Sequence, residues 1–236
     1  MALKHRVAAV LQEPAVRRIH FQMGKLPVTS FQLKKVAAKI VNDEIHVYVY
    51  RQLNHAAEYV PRHDSILLKS DDVLDSVYGK SAVVHEAVHA MTDMNRATST
   101  TLYSAEVAAY LAQMIYALAA GDEEFRFKAL IMNPAGRIAR ETLRLIDDHK
   151  MLKETVNLKW DDYKALREAI KAHPKYQDWE DKQLFPADGI KRKVNTQQSG
   201  GCSMASNASV RGAVTNRSHK KREVETERRV ILGISA

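Results

Sequence analysis

The spacing of apolar residues changes period along this chain, and that change constrains the fold more than any other feature. From Ile45 to Tyr50 apolar and other residues alternate, which is the two-residue period of a β-strand. In other segments the apolar residues recur at helical spacing, and from residue 80 to residue 173 the chain is a series of such predicted helices. These segments are 31–41, 80–94, 103–119, 122 or 123 to 132, 135–150 and 158–173. Strands early in the chain and helices later predict an α+β fold.

Two further strands are predicted close to the first. They run over 57–60 and 65–68, on either side of the turn Pro61-Arg62-His63-Asp64. With 45–50 they predict a small, mostly antiparallel sheet in the N-terminal part, followed by a helical C-terminal part. Residues 15–22 fit either a short helix or a strand.

The positive charge of the chain is concentrated at its C-terminal end. The net charge is +8, and residues 190–236 contain ten Lys or Arg against three Glu. The same stretch is rich in small polar residues and has little apolar surface to bury. We therefore predict one domain over 1–189 and a disordered basic tail over 190–236. Contact with nucleic acid is expected, if at all, only through this tail.

The sequence also indicates in which cellular compartment the protein is expected. No apolar run approaches the ~20 residues of a membrane span, and the run Val7 to Leu11 is too short for a signal-peptide core. The single cysteine, Cys202, fits a reducing compartment. The expectation is a cytoplasmic protein without a membrane span, and specialised secretion stays open.

The strongest chemical signal is the segment His85-Glu86-Ala87-Val88-His89. On a helix, residues four apart lie on one face, so both imidazoles can reach one metal ion. Glu86, beside the first histidine, can then reach a water bound to that ion. The spacing predicts His85 and His89 as metal ligands and Glu86 as a catalytic base.

A third ligand is predicted on the next helix. Glu106 follows His89 by 17 residues, enough for the chain to reverse, and it stands among alanines that allow two helices to approach closely. Asp93 is a rival ligand, but it lies a turn further along the first helix. It fits better as a partner that orients a ligating histidine, or simply as a charge near the helix end.

These residues resemble the active-site helix pair of thermolysin-like enzymes and, more broadly, of gluzincins. The resemblance covers about residues 78–115, and the spacing from His89 to Glu106 is a little shorter than is usual in that group. It implies a zincin-like fold, a Zn²⁺ ion held by His85, His89 and Glu106, and hydrolysis of peptide or protein substrates. It also implies a sheet edge over the active-site helix, for which 65–68 is the predicted strand.

The group that stabilises the oxyanion is less constrained. Tyr103 and Tyr110 lie on the face of Glu106 and are the nearest candidates, and His55 and His63 precede the motif helix. Two other functions remain open beside the metallopeptidase: a zinc-binding scaffold or sensor with weak catalysis, and a nucleic-acid-binding protein that acts through the tail.

Overall fold

Six α-helices and two three-stranded sheets make up the part of the chain that the computed structural model describes, residues 1–121 and 135–190. The predicted α+β class is confirmed. The helices are α1 (Leu3–Val10), α2 (Ser30–Val41), α3 (Val77–Met94), α4 (Leu102–Ala119), α5 (Ala135–Asp148) and α6 (Trp160–Lys171). The strands are β1 (His20–Met23), β2 (Leu26–Thr29), β3 (His46–Val49), β4 (Ala57–Val60), β5 (Ser65–Leu68) and β6 (Val156–Leu158).

Both sheets are mixed, whereas the sequence predicted a single and mostly antiparallel sheet. In the first, β1 lies between β2, which is antiparallel to it, and β6, which is parallel. In the second, β5 lies between the parallel strand β3 and the antiparallel strand β4. The prediction that β5 forms an edge is therefore wrong, because it has a neighbour on each side.

Several elements were not predicted, and each is short or has a weak pattern. β1 and β2 are four residues each, with Pro27 inside β2, and β6 is only three residues long. β6 also shortens the helix predicted from 158, which begins at Trp160. The segment 15–22 contains both alternatives, a 3₁₀ turn (Pro14–Arg18) and then β1. The helix predicted over 122–132 and the tail from 191 lie outside the described residues.

α3 and α4 form the packed centre of the domain. α3 begins at the cap Ser76, whose hydroxyl accepts the Gly79 amide at 3.0 Å. A side chain at Gly79 would place its Cβ 1.8 Å from the Val73 carbonyl oxygen, so this close approach requires glycine. Four alanines of α4, Ala105, Ala108, Ala109 and Ala112, are fully buried and allow the two helices to pack closely. No described helix is both long and apolar enough to cross a membrane.

Candidate metal centre

His85, His89 and Glu106 converge between α3 and α4. The two histidines lie one turn apart on α3, and Glu106 faces them from the second turn of α4. His85 Nε2 is 3.3 Å from Glu106 Oε2, and His89 Nε2 is 3.5 Å from Glu106 Oε1. Each of the three residues is only 7% exposed. The structure thus brings together all three predicted ligands, with both Nε2 atoms directed at one carboxylate.

The spacing of these atoms fits a bound cation better than direct pairing. One ligand atom from each residue lies within 4.8 Å of the others. A tetrahedral ion with ligand distances near 2.1 Å would separate its ligand atoms by about 3.4 Å, whereas a charged N–H···O bond is usually about 2.8 Å long. Two imidazoles and one carboxylate are also a donor set of catalytic zinc sites. The cluster could therefore hold a metal ion.

The charges within the cluster support this interpretation. Burial alone would raise the pKa of Glu106, but the imidazoles of His85 and His89 outweigh it and hold that pKa well below its usual value. Burial would lower the pKa of His89, but the adjacent Glu106 carboxylate overrides it and raises the pKa. The buried carboxylate is thus ionised and requires positive charge beside it, which a proton or a metal ion supplies.

The two histidines are oriented differently. His85 Nδ1 lies 3.1 Å from Gln113 Oε1, and because a carbonyl oxygen only accepts, Nδ1 carries the proton. In the neutral tautomer with this proton, the lone pair of His85 is on Nε2, the atom that lies nearest Glu106. His89 Nδ1 is buried and has no hydrogen-bond partner among the described residues. The His89 ring stacks instead on Phe185, with ring centroids 5.5 Å apart and planes 11° apart.

Glu86 lies on the same helix and contacts the neighbouring sheet. Its Oε2 accepts the backbone amide of Tyr59, on β4, at 2.7 Å. In the β4–β5 ladder, the Lys69 amide donates to the Ala56 carbonyl. Because hydrogen-bonded pairs alternate along an antiparallel ladder, the main-chain groups of Glu58 and Val60 point toward β5, and those of Tyr59 point away from it. The predicted base therefore lies at the outer edge of β4, an edge without a strand partner in the described part of the chain.

Asp93 lies near the end of α3, and it is neither a member of the cluster nor a partner of a histidine in the bonds of its carboxylate. Its carboxylate accepts the Tyr59 hydroxyl at 2.7 Å and the Gly189 amide at 2.7 Å, and the residue is fully buried. It thereby joins β4 to the segment that also carries Phe185. The structure gives it no contact with a histidine ring.

Two tyrosine hydroxyls, those of Tyr176 and Tyr110, are linked to Glu106, and a third tyrosine, Tyr103, lies behind them. Tyr176, which the sequence did not suggest, donates its hydroxyl to Glu106 Oε2 at 3.2 Å, and the Tyr110 hydroxyl lies 2.8 Å from that of Tyr176. Burial raises the pKa of both hydroxyls, and the nearby Glu106 charge adds to the effect. The predicted Tyr103 donates instead to the carbonyls of Tyr176 and Trp179, at 2.9 and 3.0 Å. Tyr110 thus lies next to the metal-ligand cluster, whereas Tyr103 holds the segment that carries Tyr176 and Trp179.

The two histidines considered as oxyanion donors lie beside β4. His55 pairs with Glu58 at 3.6 Å, and His63 is exposed at the end of a 3₁₀ turn (Pro61–His63). Gln113 is a residue that the sequence could have revealed, because it follows Glu106 by seven residues and so shares its helix face. Tyr176 carries no such signal, since 70 residues separate it from Glu106.

Comparison with known proteins identified no relative of this chain. No family model matches the chain, and the searches of curated proteins and of solved structures found no match either. The interpretation of the site therefore depends on the cluster of His85, His89 and Glu106 and on the residues around it.

Proposed function

We propose that this protein is a zinc-dependent metallopeptidase. One observation carries the proposal: two buried imidazoles and a buried carboxylate converge from adjacent helices, with the Glu86 carboxylate on the same helix turn as His85. When bound there, zinc would polarise the substrate carbonyl and lower the pKa of water from about 15.7 toward 7.

Glu86 is the proton carrier in this proposal. It takes a proton from the attacking water as the water oxygen bonds to the carbonyl carbon, and it passes that proton to the leaving nitrogen as the C–N bond breaks. Its Oε2 is held by the Tyr59 amide, so Oε1 is the oxygen available for the proton. A backbone donor fixes the carboxylate without adding a side chain that competes for the water.

The substrate class is inferred from the strand beside Glu86. β4 is an outer strand of its sheet in the described residues. The main-chain groups of Ala57 and the carbonyl of Tyr59 point away from β5, while the Tyr59 amide on the same side is already donated to Glu86. An extended peptide can pair with such an edge through main-chain hydrogen bonds. Because Glu86 contacts the same edge, a peptide bound there would pass the predicted base. This supports a peptide or protein substrate rather than another amide.

A zinc-binding scaffold is the alternative function, and the burial of the ligands favours it. Each is 7% exposed, and structural zinc sites are closed whereas catalytic sites keep an open position. The two proposals predict different effects of replacing Glu86, which contacts β4 but is not a member of the cluster.

Glu86→Gln therefore tests the proposal. The zinc content of the purified protein should stay at the wild-type value, while cleavage of an unfolded protein substrate should fall by about 10²–10⁴-fold. Glu58→Gln, on the same strand but with its main-chain groups facing β5, is the matched control and should keep activity. A Glu86→Gln protein that cleaves as fast as the wild type would contradict the peptidase and favour the scaffold.

A further inference from the structure

We propose that the Tyr176 hydroxyl, supported by Tyr110, donates the hydrogen bond that stabilises the negative charge developing on the substrate carbonyl oxygen. This inference rests on the peptidase proposed above. It assigns a catalytic residue that lies on neither of the two helices of the metal centre.

The position of the hydroxyl supports this role. Tyr176 is the last residue of a 3₁₀ turn (Pro174–Tyr176). The whole residue is buried, and its hydroxyl lies 3.2 Å from Glu106 Oε2. A donor one hydrogen-bond length from a ligand atom is close enough to serve a carbonyl oxygen that is polarised at the same centre. Rotation about the C–O bond redirects the proton without movement of the ring.

The hydrogen-bond directions identify Tyr176 as the terminal donor. A phenol has one proton, and that of Tyr176 is donated to Glu106, so Tyr110 must be the donor in the 2.8 Å contact between the two hydroxyls. A hydroxyl that accepts one hydrogen bond becomes a stronger donor in the next. The pair is therefore a short relay of donors that ends at the metal centre.

The ring of Tyr176 is held in place before any substrate arrives. The Tyr103 hydroxyl donates to the Tyr176 carbonyl at 2.9 Å, and the Tyr176 amide donates to the His173 carbonyl at 2.9 Å. The Trp179 ring packs against that of Tyr176, with centroids 4.8 Å apart. Because the ring is fixed, only the hydroxyl proton has to turn from Glu106 to the carbonyl oxygen, which keeps the reorganisation small.

Tyr176→Phe in the zinc-loaded, full-length protein tests the inference, because phenylalanine keeps the buried ring and removes only the hydroxyl. The kcat for cleavage of an unfolded protein substrate should fall by about 10²–10³-fold, with little change in KM or in zinc affinity. Tyr110→Phe should cause a smaller loss of kcat. Tyr48→Phe, on the exposed part of β3, is the control and should match the wild type.

Three results would overturn the inference. The first is an unchanged kcat in Tyr176→Phe. The second is a loss of kcat that excess zinc restores, since the hydroxyl would then only hold Glu106 in place. If circular dichroism shows that Tyr176→Phe is unfolded, Tyr110→Phe decides, and an unchanged kcat there is the third. Failure of the peptidase itself looks different, because the wild type would then not cleave, or Glu86→Gln would cleave equally well.

Discussion

The Tyr59 hydroxyl donates a 2.7 Å hydrogen bond to Asp93 Oδ2, while the backbone amide of the same residue donates to Glu86. Tyr59 therefore contacts α3 at two points that are seven residues apart, on either side of His89. The outer edge of β4 is fixed to the helix that carries the metal ligands by one side-chain bond and one main-chain bond. The position of this edge relative to Glu86 is thus a property of the folded domain rather than of a bound substrate.

Removal of the Asp93 carboxylate should destabilise the domain strongly. Asp93→Ala leaves two buried donors without an acceptor, the Tyr59 hydroxyl and the Gly189 amide, and should lower the free energy of unfolding by about 2–4 kcal/mol. Combined with Tyr59→Phe, it should show a coupling of about 1–2 kcal/mol in a double-mutant cycle. Urea denaturation followed by circular dichroism measures both quantities.

An exposed carboxylate provides the comparison for Asp93. Asp148 pairs with Arg144 at the surface, at 3.0 Å, and Asp148→Ala should cost less than about 0.5 kcal/mol. Equal losses for the two substitutions, or additive effects of Asp93→Ala and Tyr59→Phe, would show that the buried bond between β4 and α3 does not stabilise the domain.

Gln113 should set the affinity of the site for zinc. Gln113→Leu removes the acceptor that fixes the His85 ring and its tautomer, and loss of such a partner typically costs 10–100-fold in metal affinity. Gln113→Glu should retain the affinity or increase it, because a carboxylate acceptor makes the histidine a more basic ligand. Competition with a fluorescent chelator gives the dissociation constants.

Gln22→Leu is the matched control for Gln113, because the Gln22 side chain bonds only its own turn, at the Gly24 carbonyl. It should bind zinc as the wild type does. An unchanged affinity in Gln113→Leu would mean that the imidazole of His85 does not need the amide for its orientation.

Zinc binding should release protons in a pH-dependent manner. A histidine must be neutral to coordinate, and the raised pKa of His89 in the metal-free protein means that its proton persists to higher pH than usual. Glu106, whose pKa is held well below its usual value, has no proton to lose. The release that comes from His89 should therefore be greatest at mildly acidic pH and should decline as the pH rises through the His89 pKa.

Isothermal titration calorimetry measures this release when the same zinc titration is repeated in buffers that differ in ionisation enthalpy. The apparent binding enthalpy should depend on the buffer at mildly acidic pH. The share of this dependence that comes from His89 should vanish at alkaline pH, where a zinc-bound water is the remaining source of protons. Proton release that does not change with pH would contradict the assignment of His89 as a ligand.

Five of the six described helices and the metal cluster could be predicted from the sequence because their signals are local, whereas α1 was not predicted. A spacing of four residues places His85 and His89 on one helix face whatever the rest of the chain does. Glu106 could be predicted as the third ligand because the next helix begins after a short loop. Its small neighbours indicated a close helix contact, and the structure shows that contact.

The remaining features depend on long-range packing, for which the sequence carries no periodic signal. The order of strands places β4 rather than β5 beside α3. A strand of four residues shows which residues alternate between its faces, but it does not show which strands it pairs with. Tyr176 reaches Glu106 from 70 residues further along the chain, through a turn whose last carbonyl accepts the Tyr103 hydroxyl. Asp93, which has the spacing of a partner for His89, instead binds donors from β4 and from the segment after α6.

The X-ray absorption spectrum of zinc in the purified, full-length protein tests the central claim most directly. We predict one zinc ion per chain with nitrogen and oxygen ligands only, a multiple-scattering pattern of two imidazoles, and loss of that signal in His85→Ala and in His89→Ala. Glu106→Gln should weaken binding and keep the imidazole pattern. A chain that binds no zinc, or a zinc spectrum that is the same in the wild type and in both histidine variants, would contradict the account.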